Sequence, residues 1–212
     1  FRFALEDLGP ELHQYLVEDN TDGKPFDRDT RSLMYRRAKG VADEKPFGTE
    51  KNVYDPEYAW MAHSIAPHPV VENAGQNMRI TIGGPDCTQP YSSSVLNISA
   101  MSFGALGSAA VQAMNLGAKK GGFAHDTGEG GISRYHREHG GDLIWQIGTG
   151  YFGCRNEEGG FDPDQFAAQA TNPQIKMIEI KLSQGAKPGH GGILPAAKVT
   201  EEIAEARQVP VG

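Results

Sequence analysis

The chain has 212 residues, a formal net charge of −7 and 27 glycines, 20 of which fall in residues 94–212. That length fits one to one and a half domains, and the acidic balance argues against general nucleic-acid binding. No run of ~18 apolar residues marks a membrane span, and two cysteines, Cys87 and Cys154, cannot staple a disulfide scaffold, which suggests a reducing cytoplasm. Glycine this dense in an ordered chain points to tight turns and to backbone packed close to a ligand. Arg2, Glu6 and Asp7 interrupt any apolar leader, and a chain opening on Phe1 reads as a fragment.

Residues 1–20 carry Phe3, Leu5, Leu8, Leu12, Tyr15 and Leu16 at roughly helical spacing, with a break at Pro10. Asn20–Gly23 reads as a turn, and Asp27 as the cap of a second helix through Arg37. Residues 40–75, with Phe47, Tyr54, Tyr58 and Trp60, read as a loop-rich packing layer. A short strand is expected at Arg79–Ile82, a loop at Ser92–Ser94, and a buried strand at Val95–Met101. Then come a helix from near Ala105 and strands at Gly121–Ala124, Leu143–Ile147 and Lys176–Leu182. Helices are expected at Asp164–Ala170 and from a Thr200 cap to Gln208, and a further strand at Val209–Val211.

Strands alternating with helices predict parallel β/α units. Each predicted strand runs into a Gly-rich or polar loop, and in a (β/α)8 barrel such loops build the active site. A full barrel needs about 250 residues, so the stretch after position 93 supplies half a barrel or an open doubly wound sheet. The sheet is the weaker alternative, because no Gly-x-Gly-x-x-Gly turn with a downstream acid follows the first strand. The expected organisation is a helical and irregular leader over 1–93, then the first half of an α/β, (β/α)8 TIM barrel over 94–212.

Three stretches carry candidate chemistry. Ile98–Gly104 is a strand entering a turn of small residues, against which a flat ring can lie; from spacing alone the commoner reading is an ordinary βα turn. Asp126–Gly131 joins an acid to glycines that free the backbone to wrap a ligand, and Glu129 is placed to accept from an amine or imine, with a solvated turn as the commoner reading. Lys181–Gly192 is the sharpest. Lys181 ends an apolar strand, where a buried cation needs an anionic or electron-rich partner; Lys187, in a Gly/Pro loop, suits a carboxylate as a point charge. A salt bridge of Lys181 to Glu179 is disfavoured. His136 and His139 flank Glu138 without a third ligand at metal spacing and read as a solvated helix face. No metal site is expected.

Taken together, Ile98-Ser-Ala-Met-Ser-Phe-Gly-Ala105, Thr127-Gly-Glu-Gly-Gly131 and Ile178-Glu-Ile-Lys-Leu-Ser-Gln-Gly-Ala-Lys-Pro-Gly189, followed by Leu194-Pro195 and Lys198-Val-Thr200, resemble the FMN-binding central domain of glutamate synthase. Residues 1–93 resemble the leader of the smaller stand-alone proteins of that family, some of which begin with a membrane-spanning segment that would precede Phe1. The resemblance implies an FMN-holding barrel in which reduced flavin delivers a hydride to the imino acid formed from 2-oxoglutarate and ammonia, giving glutamate. Carried over by motif, Ala100, Met101, Ser102 and Thr127 would line the flavin, and Lys181 and Gln184 would contact its ring and ribityl edge. Glu129, Thr149 and Lys187 would face the keto acid, with Lys181 and Glu129 as the catalytic pair.

The sequence departs from the family at two places. Thr149-Gly-Tyr-Phe-Gly153 has Tyr151 where the family has Arg, and Gly189-His-Gly-Gly-Ile193 ends in Ile193 where the family has Gln. These carry an alternative, a flavin barrel acting on a different keto or imino acid. A third reading is a truncated, non-catalytic half-barrel that binds a partner chain. No Cys nucleophile opens the chain to supply a glutaminase half, and an iron–sulfur cluster would come only from sequence beyond residue 212. Expected partners are therefore the rest of the barrel or another subunit, and an electron donor such as ferredoxin or an NAD(P)H-linked subunit.

Overall fold

A computed structural model describes residues 26, 28–41, 52–56, 58–67, 69, 78–184 and 193–212. The expected helix over 1–20, the turn at 20–23, the Asp27 cap, Phe47 and Lys187 lie outside the described residues. The chain divides into two compact units, residues 1–67 and 68–212. Among the described residues no helix is long and apolar enough to cross a membrane.

In the first unit, helix α1 spans Arg28–Ala38, as expected. Residues 52–56 and 58–67 are irregular, but they do not form the packing layer expected of them: Tyr54 is 92% and Trp60 71% exposed. With no helix or strand to give it an apolar face, this stretch presents its aromatics singly.

In the second unit a hairpin precedes a parallel sheet. Strand β1 (Arg79–Ile82) pairs antiparallel with β2 (Tyr91–Ser94), with Arg79 opposite Ser94. The serine run was expected to be a loop because serine has little strand preference. Arg79 supplies what the serines lack, donating to the Ser92 hydroxyl at 3.1 Å.

The expected strand at 95–101 shrinks to a single parallel bridge, Ile98 to His125. Asn97 is the cause. Its side chain accepts from the Ala124 N–H at 2.9 Å and donates to the Ser94 carbonyl at 2.8 Å, replacing ladder bonds with side-chain bonds. Val95 and Leu96 are left exposed. Residues 103–107 turn with Gly104 at φ +105°, so helix α2 begins at Ser108 rather than near Ala105 and runs to Gly121. Gly122, at φ +67°, closes it with a left-handed cap. That conformation cannot continue as a strand, so the strand expected at 121–124 is displaced to β3, His125–Asp126.

Helix α3 is one turn, Arg134–Arg137. Strand β4 (Leu143–Ile147) falls where the sequence put it, helix α4 spans Pro163–Ala170, and β5 spans Ile175–Ile180. Asp162 caps α4 by accepting from the Asp164 and Gln165 N–H groups at 2.9 and 3.0 Å. After a 3₁₀ turn at Ala196–Lys198, helix α5 (Glu201–Arg207) starts at its expected Thr200 cap, with Glu201 and Glu202 against its positive end. Gln208 ends it at φ +54°, and residues 209–211 form no strand.

The sheet order is β3-β4-β5, all parallel, each strand beside its neighbour in sequence. On one face Leu143, Trp145 and Ile147 pack with Ile132 and Cys154 and meet Phe166 of α4. Farther along that face Ile178 and Ile180 of β5, with Leu182 just beyond, are 41%, 70% and 87% exposed. A second cluster joins Phe103, Val111 of α2 and Ile203 of α5.

Asn115 of α2 is fully buried and clamps the loop before β4: its amide donates to the Gly141 carbonyl at 3.3 Å and accepts from the Gly141 N–H at 3.0 Å. Asn115→Leu is expected to destabilise the protein by about 2–3 kcal/mol, because it keeps the branching but adds bulk in a packed site and leaves a buried N–H unsatisfied. Equilibrium urea unfolding checks this; a change below about 0.5 kcal/mol contradicts the clamp.

Candidate functional site

Because the strands are parallel, their C-terminal ends lie on one edge, and the predicted residues gather there. Lys181, just past β5, is held by its N–H to the Ile147 carbonyl at 2.9 Å. Its Nζ reaches Glu129 Oε1, on the loop after β3, at 2.9 Å, and both side chains are about four-fifths buried. The sequence called for an anionic partner of Lys181, and the structure supplies Glu129, 52 positions earlier. Glu129 lies over Gly148, at the end of β4, where a Cβ would stand 2.1 Å from Oε2 and 2.9 Å from the Glu129 Cβ. Thr149 is exposed beside it.

The Thr127–Gly131 loop packs on the segment from Ala100 to Ser102. A Cβ at Gly128 would stand 2.7 Å from the Ser102 nitrogen, and one at Gly130 would stand 3.0 Å from the Ser102 Cβ. Glycine is required at Gly128 twice over, since its φ is +66°. Ala100, Met101 and Ser102 are half-buried here. Thr127 is fully buried, and its hydroxyl donates to the Gly128 carbonyl and accepts from the Gln146 N–H, so it ties β3 to β4 rather than facing the loops. Gln184 is half-buried four residues past β5.

Three further groups stand at this edge, of which the sequence reading gave no role to Arg207 and no pairing to Asp126 and Glu179. The Asp126 carboxyl is buried and hydrogen-bonds the Glu179 carboxyl; burial, then Glu179, raises its pKa, while Glu179 is held low by its bonds from Asp126 and the Gln146 amide. The third is Arg207, from the last turn of α5. Its guanidinium lies 5.4 Å from the Phe152 ring centroid, donates to the Phe103 carbonyl at 3.4 Å and feels the Glu129 charge. It sits some 80 positions from that acid, which no local pattern could reveal.

His136 corrects a sequence reading. Expected on a solvated face, it is fully buried. Ser133 caps α3, and the His136 ring folds back to accept from its N–H, so the ring lies inward. His125, 5.3 Å away between ring centroids, is equally buried. Burial lowers both histidines to about 4. Unfolded histidines bind protons below about 6.5, the native pair only near 4, so over that range the unfolded state takes up more protons and stability falls with falling pH. Glu179 adds to this loss, while Asp126, which binds its proton early in the native state, opposes it. His125→Gln should flatten the profile between pH 6.5 and 4.5, removing up to about 3 kcal/mol of pH-dependent loss. Denaturant unfolding at several pH values checks it; parallel profiles in variant and wild type contradict it.

Among the described residues no group of three or more His, Cys, Asp or Glu side chains could hold a metal. A cavity of about 300 Å³ lies elsewhere, between α3 and α5, and none of the predicted site residues lines it. Arg134 and Glu202 pair across it, and Arg137 donates to Gln169 on its wall.

Comparison with known proteins fits this geometry. The profile of the conserved region in glutamate synthase matches residues 75–212. The chain is 33% identical over 250 aligned residues to a glutamate synthase large subunit-like protein, YerD, of Bacillus subtilis, an alignment covering all of this chain and 47% of that protein. It is 39% identical over 114 residues, 54% of this chain and 20% of the relative, to an archaeal glutamate synthase [NADPH] of Archaeoglobus fulgidus. A glutamate synthase large subunit-like protein of Rhizobium meliloti is 29% identical over 88% of the chain and 40% of its own length. The chain thus spans about half, or less, of the relatives it matches. The Glu129 loop, the Lys181 strand end and the Ser102 turn all fall inside the matched region, and on that match the chain belongs to the glutamate synthase family.

Proposed function

We propose that this chain is the flavin-binding part of a glutamate synthase-type oxidoreductase, which reduces the imino acid formed from 2-oxoglutarate and ammonia to glutamate. The observation that carries it is the Lys181–Glu129 pair, about four-fifths buried at the ends of parallel strands, beside the small-residue surface of Ala100, Ser102, Gly128 and Gly130. In this reading residues 94–212 are the first half of a (β/α)8 barrel, in which Ile98, β3, β4 and β5 follow one another around the wall. The exposed row Ile178, Ile180 and Leu182 supports it, as a face for the next barrel elements to cover.

The residues fit FMN. Close packing of the 128–130 loop on Ser102 leaves a surface without side-chain bulk for a flat ring, and Lys181 is a cation suited to its electron-rich edge. When bound, FMN supplies hydride transfer. The protein's own groups do the rest. Lys181 stabilises negative charge at the ring edge. Glu129 orients Lys181 and accepts from the nitrogen of the imine. Lys181 and Arg207 supply two cations at this edge that a small keto acid can meet, with Lys187 as a further carboxylate anchor. The electron donor and the remaining barrel come from the rest of the protein or from another subunit.

The full-length protein should purify yellow, with the absorbance bands of oxidised FMN, and should consume 2-oxoglutarate only when ammonia is present. Correctly folded protein that takes up no FMN overturns this reading. One observation favours a second: Tyr151, at φ +54° and 37% exposed, occupies the place of the family's Arg. It narrows the site differently, and a panel of keto acids with ammonia decides between the two. Preferential turnover of another acid selects the second reading.

A further inference from the structure

The peptide that joins Met101 to Ser102 is aimed by a residue with no place in the reading above. His136 is fully buried, and its two ring nitrogens have different partners. Nδ1 accepts from the Ser133 N–H at 3.1 Å and lies 2.9 Å from the Ser133 hydroxyl. A backbone N–H can only donate, so Nδ1 is the unprotonated nitrogen and Nε2 carries the ring hydrogen. Nε2 lies 3.1 Å from the Met101 carbonyl oxygen and therefore donates to it. The Met101 N–H is fixed as well, to the Asp126 carbonyl at 3.2 Å.

A trans peptide is planar, and its C=O and N–H point in opposite directions. Holding the Met101 carbonyl toward α3 turns the Ser102 N–H the other way. Among the described residues that N–H meets no acceptor. Gly128 passes close to this nitrogen without a side chain, since a Cβ there would stand 2.7 Å from it. A buried imidazole with a single tautomer, a pinned carbonyl and a bare N–H on the far side of the same peptide form one device.

We propose that His136 is a positioning residue that orients the Ser102 N–H to donate to an acceptor atom on the edge of the bound flavin ring. This rests on the flavin reading above and adds to it the group that sets the direction of that donor. His125, packed 5.3 Å from His136 and also fully buried, helps exclude water from the far side of the imidazole.

The test uses the full-length protein stripped of FMN and titrated with it again. Wild-type protein labelled with carbonyl-¹³C methionine and ¹⁵N serine picks out the Met101–Ser102 peptide, the one Met–Ser step in these 212 residues. Its amide proton should move downfield on FMN addition. His136→Gln keeps a donor within reach of the carbonyl, and His136→Leu and His136→Asn do not. The Leu and Asn variants should bind FMN about 10-fold more weakly, as for one lost hydrogen bond, with a shifted flavin potential, and the Gln variant should stay within about 3-fold of wild type. If the Leu variant does not fold, the Gln–Asn pair and the wild-type amide shift decide. An amide proton that FMN leaves unmoved overturns the inference, as do equal affinity and potential across the folded variants. Wild-type protein that takes up no FMN at all overturns the flavin reading itself, an outcome separate from these.

Discussion

On the proposed flavin reaction, replacing Lys181 with methionine in the full-length protein is expected to slow reoxidation of the reduced flavin by keto acid and ammonia about 100-fold or more, the scale for removing one preorganised charge from a reacting centre. Methionine keeps the stem that packs at the end of β5 and removes only the cation. Glu129 is then left four-fifths buried without its 2.9 Å partner. Because both groups keep some exposure, the loss in stability should be far smaller, about 1–2 kcal/mol. Glu129→Gln should slow turnover too, but with a weaker effect on the flavin potential, since Lys181 remains. Stopped-flow reoxidation and potentiometry separate the two roles. A Lys181→Met enzyme with wild-type turnover would remove the pair from the chemistry.

Gly131→Ala is expected to destabilise the protein by about 3 kcal/mol or more. Gly131 has φ +83°, and a Cβ there would stand 2.5 Å from the Ala206 carbonyl oxygen. The left-handed conformation alone costs about 1–2 kcal/mol for alanine, and the clashing atom is helix backbone that cannot swing aside as a side chain end would. Gly117→Ala, in α2, is the counter-case. It has open space around its Cβ position and helical φ, so the same exchange should stabilise by about 0.5–1 kcal/mol. Thermal and urea unfolding of the two variants should move in opposite directions; a tolerated alanine at 131 would contradict the close approach of the loop to α5.

The sequence could be read best where one local signal sufficed. Leu143–Ile147 is a run of mostly apolar residues of which four are buried, and Thr200 followed by two glutamates is a complete helix start. The motif glycines and Lys181 were legible because chemistry restricts residue type there. Misreadings came where a side chain replaced a backbone bond. Asn97 does so before β3, and nothing in Val-Leu-Asn-Ile announces it. His136 was misplaced for a related reason: followed by Arg137 and Glu138 it looks solvated, yet its ring serves the Ser133 cap and the Met101 carbonyl. Asp126 with Glu179, and Arg207 with Glu129, are pairings set by sheet register and helix placement, so they emerge only once the strands are laid side by side.

The sheet order also has a consequence for synthesis on the ribosome. β3 meets β4, and β4 meets β5, each partner emerging directly after the last, with Ile98 already waiting beside His125. Pairing between sequence neighbours closes shorter loops, at a smaller entropy cost, than pairing between distant strands would. The wall can therefore be extended one strand at a time, while the Thr127–Gly131 loop that carries Glu129 settles last, once α5 brings Ala206 and Arg207 against it.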